Sequence, residues 1–215
     1  MNQFDELFSL NDTDEIGRQL LGVELVHKTP EGLAGGYIVE DETYFGVEDP
    51  SSFAYQGVNN QKSKHLYDES GSIFIYRMYG SFMIDIAVQP KGTPHGILIR
   101  AIQPSRGLGI LEDNRPINGK NQTNGPGKLS QAIGIHDLSL NGQSFSGNQL
   151  FLDFTNALKP NEILTLPRMG SKNDHSENKI GNRFAVAGNP YVSSIKNKET
   201  DNEMFGWKDT SIATN

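Results

Sequence analysis

Apolar stretches along the chain alternate with polar, turn-rich segments, and their spacing predicts a mixed set of short helices and strands. The segment NDTDEIGRQLLG reads as a helix. Asp12 or Thr13 can cap it, acidic residues fill its first turn, and Leu20 and Leu21 give it an apolar edge before Gly22. Two strands follow around a Thr-Pro-Glu-Gly turn, carrying Val23, Leu25, Ile38 and Tyr44 and placing Glu42 near a strand end. Residues 47–71 are polar and rich in turn formers, which predicts a long excursion from the core, a kind of segment that often carries function. β-Branched and aromatic residues then dominate 71–104, predicting two or three strands broken at Gly80 and at the turn between Pro90 and Pro94. Residues 106–124 predict a loop, GPGKLSQAIGI a short helix, and 149–154, 163–166 and 183–186 further strands. The polar segment after Ser194 is either disordered or pinned by Phe205 and Trp207.

Length and composition narrow the class. A chain of 215 residues fits one domain with a sizeable core, and 23 Gly and 10 Pro point to a loop-rich fold. The division expected is a single domain over 1–195 and a polar tail over 196–215. No apolar run reaches the length of a membrane helix, and the acidic start MNQFDELFSLNDTDE is unlike a signal peptide, so a cytoplasmic protein with no membrane partner is expected. The absence of cysteine excludes disulfides, a catalytic thiol and thiolate-bound metal. The five histidines, His27, His65, His95, His136 and His175, lack metal-ligand spacing, so neither metal nor other cofactor is expected.

A formal charge of −7 argues against a nucleic-acid binder, but the average hides an asymmetry. The first fifty residues set only Arg18 and Lys28 against about a dozen carboxylates, whereas between Ser51 and His136 basic residues exceed acidic ones by four. That stretch holds Lys62, Lys64, Arg77, Lys91, Arg100, Arg106, Arg115, Lys120 and Lys128, which either form one cationic face or are dispersed.

Candidate chemistry concentrates in IVEDETYFGVEDP. On a strand, Glu40 and Glu42 share one face and Asp41 takes the other. Paired carboxylates suit acid–base work, while the plainer alternative is an exposed edge strand with solvated acids. Tyr44, Phe53, Tyr55, Tyr76 and Tyr79 are core residues or a stacking surface for nucleobases. Arg100, within the apolar ILIRAIQP, needs a carboxylate or a ligand as partner. GPGKL has the glycines and lysine of a phosphate cradle without Walker A spacing.

Taken in order, LLGVELV, GGYIVEDETYFGVEDPSSFAY, GSIFIYRMYG, GILIRAIQP, NGPGKLSQAIGI, LPRMG and RFAVAGNPYVS resemble the alkyladenine type of DNA-3-methyladenine glycosylase, from about residue 15 to about 195. The resemblance implies an α+β fold: a single domain with a curved, mainly antiparallel sheet, flanking helices and a protruding β-hairpin that enters the DNA minor groove. It implies a monofunctional enzyme without lyase activity, acting as a monomer on double-stranded DNA that contains a damaged purine. Carried over by residue, Glu42 takes the place of the general base and Arg100 that of an arginine holding the water, with the Met169 backbone a further water contact. Tyr44 and Tyr76 match the aromatics that sandwich the flipped base, Tyr79 the tyrosine that fills the gap in the duplex, and Lys128 a block expected near phosphate.

Three positions depart from the family pattern. Phe53 stands where a histidine is usual, Asp85 where an asparagine obstructs the guanine amino group, and Thr43 where an alanine is usual. Phe53 and Asp85 leave the substrate range open and motivate an alternative, a family member that binds damaged DNA without excising the base. A lysine-dependent lyase and a hydrolase of free nucleosides are the remaining alternatives.

Overall fold

In a computed structural model, which describes residues 2–147, 149–170 and 182–208, the framework is one curled antiparallel sheet with helices packed on it. His175, and the part of the tail after Lys208, lie outside the described residues. Among the described residues eight strands run β1 (Glu24–Thr29), β2 (Gly32–Tyr44), β3 (Ser72–Met78), β4 (Ser81–Ala87), β5 (Gly96–Arg106), β6 (Leu150–Asp153), β7 (Ile163–Leu166) and β8 (Arg183–Val186). The strands predicted from the pattern are all present, and those from 71 to 104 number three.

The sheet order β3-β4-β5-β2-β1-β6 makes β2 a central strand, and its 13 residues fork. Its first half pairs with β1, from Gly32 opposite Thr29 to Tyr37 opposite Glu24. Its second half pairs with β8, where Glu40, Asp41 and Glu42 face Ala185, Phe184 and Arg183. Along the other edge lies β5, with register shifts on either side of Glu40. Such irregularities add twist and re-aim side chains, here at the strand's acidic triplet. The alternative of an exposed edge strand is therefore overturned: Glu40, Asp41 and Glu42 are wholly buried in the interior of the sheet.

Of the helices, α2 (Thr13–Leu20) forms as predicted. Asp12 caps it, accepting the Glu15 N–H at 3.1 Å, and its face of Ile16, Gly17 and Leu20 is buried. Preceding it is α1 (Gln3–Phe8), capped by Asn2 and anchored by Leu7 and Phe8. A second helix absent from the sequence reading, α3 (Leu108–Asn114), lies within the stretch predicted as loop. Two turns long, it buries only Leu111 completely, so it carries almost no periodic signal. The predicted short helix is α4 (Pro126–Ala132), with Pro126 in its first turn.

The main core joins the β2 and β5 aliphatics to α2, α4 and the inner residues of β3 and β4. A smaller cluster of Ala54, Leu66 and Phe74, flanked by Phe53, Tyr67 and Tyr76, lies under the polar excursion after β2. That excursion is folded into short 3-10 turns at Gly46–Glu48, Tyr55–Gly57 and Lys64–Tyr67. Of the two alternatives for the segment after Ser194, the described residues take docking. The buried Trp207 ring meets Tyr37 edge-on at 6.2 Å and donates its Nε1–H to Gln103 Oε1 at 2.9 Å. No helix among the described residues is long and apolar enough to cross a membrane.

Candidate active site

Side chains that alternate along β2, β3, β4 and β5 meet on one face of the sheet, where the fold leaves a cavity of about 570 Å³. Eight of the nine candidate residues line it. Glu42 and Tyr44 come from β2, Tyr76 from β3, Asp85 from β4 and Arg100 from β5. Phe53 enters from the excursion, Tyr79 from the turn between β3 and β4, and Met169 from the segment after β7. Lys128 is not among the lining residues. It lies in α4, where its ammonium donates to Asn124 Oδ1 at 2.7 Å, although Pro126 at the start of that helix does reach the cavity.

Three donors converge on the Glu42 carboxylate. Oε1 accepts the Met169 backbone N–H at 2.7 Å and faces Arg100 Nη1 at 3.1 Å, while Oε2 accepts the Tyr44 hydroxyl at 2.8 Å. Glu42 thus acts only as an acceptor, as an ionised carboxylate does. Burial, and then the Glu42 charge, push the Tyr44 phenol well above its ordinary value, which keeps it a donor. Burial lowers the Arg100 value, but the Glu42 and Glu40 carboxylates more than offset that, so the net shift is upward. Of the two kinds of partner foreseen for Arg100, a carboxylate or a ligand, the structure shows the carboxylate, and twice, in Glu40 and Glu42.

The cavity wall is aromatic. Phe53 packs edge-on against Tyr76 with ring centres 4.7 Å apart, and Phe74 lies 5.0 Å from Tyr76 on the same strand. One face of the Tyr44 ring is covered by the Arg168 guanidinium, 4.5 Å from its centre. Asp49 holds Arg168 by contacts of 2.6 and 3.1 Å, and both residues are buried. Sequence reasoning passed over this pair, as well as Arg183 and Ser193. Arg168 adjoins Met169 in LPRMG, and Asp49 precedes Pro50 in the excursion, but nothing local relates positions 119 residues apart.

Asp85 is buried between apolar neighbours. Its Oδ1 has no hydrogen-bond partner among the described residues, and Gly96 leaves it room, since a Cβ there would come within 2.5 Å of that oxygen. Burial pushes its carboxyl well above the usual carboxylate range. The Ile86 and Ile97 backbone groups oppose that shift, and Glu42 adds to it. Burial thus opposes the negative charge that its sequence suggests. Thr43 points to the opposite face, donating to Asp14 Oδ1 at 2.6 Å, and so ties β2 to α2 rather than touching the cavity.

Tyr79 stands apart from the other aromatics. The β3 and β4 strands pair from Ser72 opposite Ala87 to Met78 opposite Ser81, and a two-residue turn of Tyr79 and Gly80 joins them. Both turn residues have left-handed backbone, with φ of 50° and 79°. Gly80 adopts it freely, whereas for a tyrosine it costs about 1–2 kcal/mol. The residue is 92% exposed. A bulky aromatic held out in water at the rim of a cavity is the feature of this turn that packing does not explain.

Comparison with known proteins gives the family. The family model described as Methylpurine-DNA glycosylase matches residues 7–190. A protein of Latilactobacillus sakei named "Putative 3-methyladenine DNA glycosylase" is 41% identical over 201 residues, covering 93% of this chain and 94% of its own. Proteins of the same name from Lactiplantibacillus plantarum and Enterococcus faecalis are each 37% identical. They cover 96% and 97% of this chain, and 99% and 91% of their own lengths.

Proposed function

Because the chain belongs to the methylpurine-DNA glycosylase family, we propose that it excises alkylated or deaminated purines from duplex DNA by hydrolysis. The class comprises 3-methyladenine, hypoxanthine and ethenoadenine. The observation that carries this reading is the convergence of the Met169 N–H, Arg100 and the Tyr44 hydroxyl on Glu42 beside an aromatic cavity.

A cavity of about 570 Å³ accommodates a purine only if the nucleotide leaves the base stack. Tyr79 fills the gap that this leaves, and Tyr44 and Tyr76 stack on the extruded base. Cationic alkylpurines gain most from these rings, by about 0.5–2 kcal/mol each. As the C1′–N9 bond breaks, its electron pair leaves with the base and the sugar becomes oxocarbenium-like. Water attacks C1′, and Glu42 takes its proton while its charge stabilises the sugar cation. Arg100 and the Met169 N–H orient that carboxylate. Asp85, whose carboxyl burial shifts toward the uncharged form, faces the purine edge, and Lys128, on α4, meets a phosphate. No lysine lines the cavity among the described residues, which supports hydrolysis without strand cleavage. A reaction at one flipped nucleotide needs a single copy of the chain, so the protein works as a monomer in the cytoplasm, on the nucleoid.

The test is release of free base from duplexes carrying each lesion, together with borohydride trapping. Release without a trapped protein–DNA adduct is expected. No release from any lesion refutes the reading, and lesion binding without release would favour a damage-binding protein.

A further inference from the structure

Glu42 uses three donors, and the second buried carboxylate on its face uses four. Glu40 Oε1 accepts Arg100 Nε–H at 2.9 Å, Arg183 Nη1–H at 2.9 Å and the Ser193 hydroxyl at 2.6 Å. Its Oε2 accepts the Ser193 backbone N–H at 2.6 Å. Glu40 does not line the cavity, so it has no direct contact with a base. We propose that Glu40 is a positioning residue, whose carboxylate aims the Arg100 guanidinium and the Met169 segment at Glu42. The proposal rests on the hydrolytic reading of the site.

The geometry is that of a clamp with two arms. In the first, Arg100 is gripped at Nε by Glu40, which turns Nη1 toward Glu42 Oε1. A planar guanidinium held at one edge has little rotational freedom left at the other. In the second, Arg183 binds Glu40 through Nη1 and donates its Nε–H to Pro167 O at 3.0 Å, two residues before Met169. The Ser193 hydroxyl also lies 3.2 Å from Met169 Sδ. Both groups that touch Glu42 Oε1 therefore trace back to Glu40.

Charge balance fits the same role. Facing Glu40 are Arg100 from β5, Arg183 from β8 and Ser193 after β8, with Glu42 on its own strand and Met169, after β7, against Ser193 and Arg100. Two carboxylates thus meet two guanidiniums. Asp41, on the opposite face, adds no third charge while it stays neutral. Buried ions persist only where they are paired and fully hydrogen-bonded, and here every one of the four is engaged.

The test is Glu40→Gln, which keeps the volume and removes the charge, compared with wild type by single-turnover base release and by affinity for a hypoxanthine duplex. The expected result is a rate loss of about 10- to 100-fold with affinity within about two-fold, because misaimed groups slow chemistry without altering the stacking surface. A rate within about two-fold of wild type overturns the proposal, and so does a parallel loss of rate and affinity. Should Glu40→Gln fail to fold, Ser193→Ala decides. It removes one tether and leaves all four charges, and a several-fold rate loss supports the clamp where an unchanged rate refutes it. An NMR measurement needs no substrate, so it separates failure of this proposal from failure of the glycosylase reading. The Arg100 Nε–H, assigned by its loss in Arg100→Lys, is protected from solvent exchange in wild type if Glu40 holds it. Rapid exchange there contradicts the clamp.

Discussion

Asp41 offers a test of the site's electrostatics that does not depend on DNA. It lies between Glu40 and Glu42 on the opposite face of β2, wholly buried, and both of its carboxylate oxygens lack hydrogen-bond partners among the described residues. Burial, then the Glu40, Glu42 and Asp14 charges, raise its value well above the ordinary 3.8, and Arg18 opposes only in part. A carboxyl whose folded-state value is raised binds its proton more tightly in the folded than in the unfolded chain. Its contribution to stability is complete below about pH 4 and is lost as pH rises toward the folded-state value. Within that window stability falls by about 1.4 kcal/mol per pH unit for this one group. In a chain of this size each kcal/mol moves Tm by about 2–4 °C, so the loss is roughly 3–6 °C per pH unit. Asp41→Asn removes the titration and keeps the shape. Thermal melts of both proteins at pH 5, 6 and 7 are therefore expected to diverge, with the variant gaining on wild type at each step. Parallel Tm curves across this range would refute a neutral Asp41, and with it the balance of two carboxylates against two guanidiniums.

Three further outcomes follow from the geometry. Tyr79→Ala truncates a residue that is 92% exposed, so melting should change little, while lesion-duplex affinity, measured by anisotropy, should fall about ten-fold; unchanged affinity would remove Tyr79 from the DNA interface. Asp49→Asn breaks the buried pair that holds Arg168 over Tyr44. The expected cost is about 3–5 kcal/mol in denaturant unfolding together with slower base release, and a loss below about 1 kcal/mol would contradict a structural role for the pair. Gly96→Ala places a Cβ within 2.5 Å of Asp85 Oδ1 and 2.7 Å of Leu66 Cδ2, so the carboxyl must shift into the cavity. Stability should drop by about 1–3 kcal/mol, and release of bulky ethenoadenine should suffer more than release of hypoxanthine; equal effects would place Asp85 away from the base.

Much of this was legible in the chain because its strands are rich in β-branched residues and bounded by Gly and Pro, so β3, β4 and β5 could be placed from pattern alone. Ordered motif blocks brought Glu42, Tyr44, Tyr76 and Arg100 together before any geometry was known. What escaped depends on contacts distant in sequence. Spacing left Glu42 on a strand of unknown exposure, and only the forked pairing of β2 with β5, β1 and β8 buries it. Arg168 and Asp49, or Glu40 and Ser193, are joined across more than a hundred residues, beyond the reach of periodicity. Helix α3 was missed for the opposite reason, since a two-turn helix with one buried anchor is too short to show a period. The upward shift of the Asp85 carboxyl was not legible either, because a sequence gives a residue's formal charge and not its burial.

The central claim is that Glu42 activates the attacking water. Glu42→Gln keeps the size of the side chain and its oxygen acceptor, but cannot take a proton. Single-turnover release of hypoxanthine or an alkylated purine from duplex DNA, measured beside lesion affinity, tests this directly. The account predicts a rate loss of about 10²–10⁴-fold with affinity within about two-fold of wild type. Release by Glu42→Gln within about three-fold of wild type would contradict it.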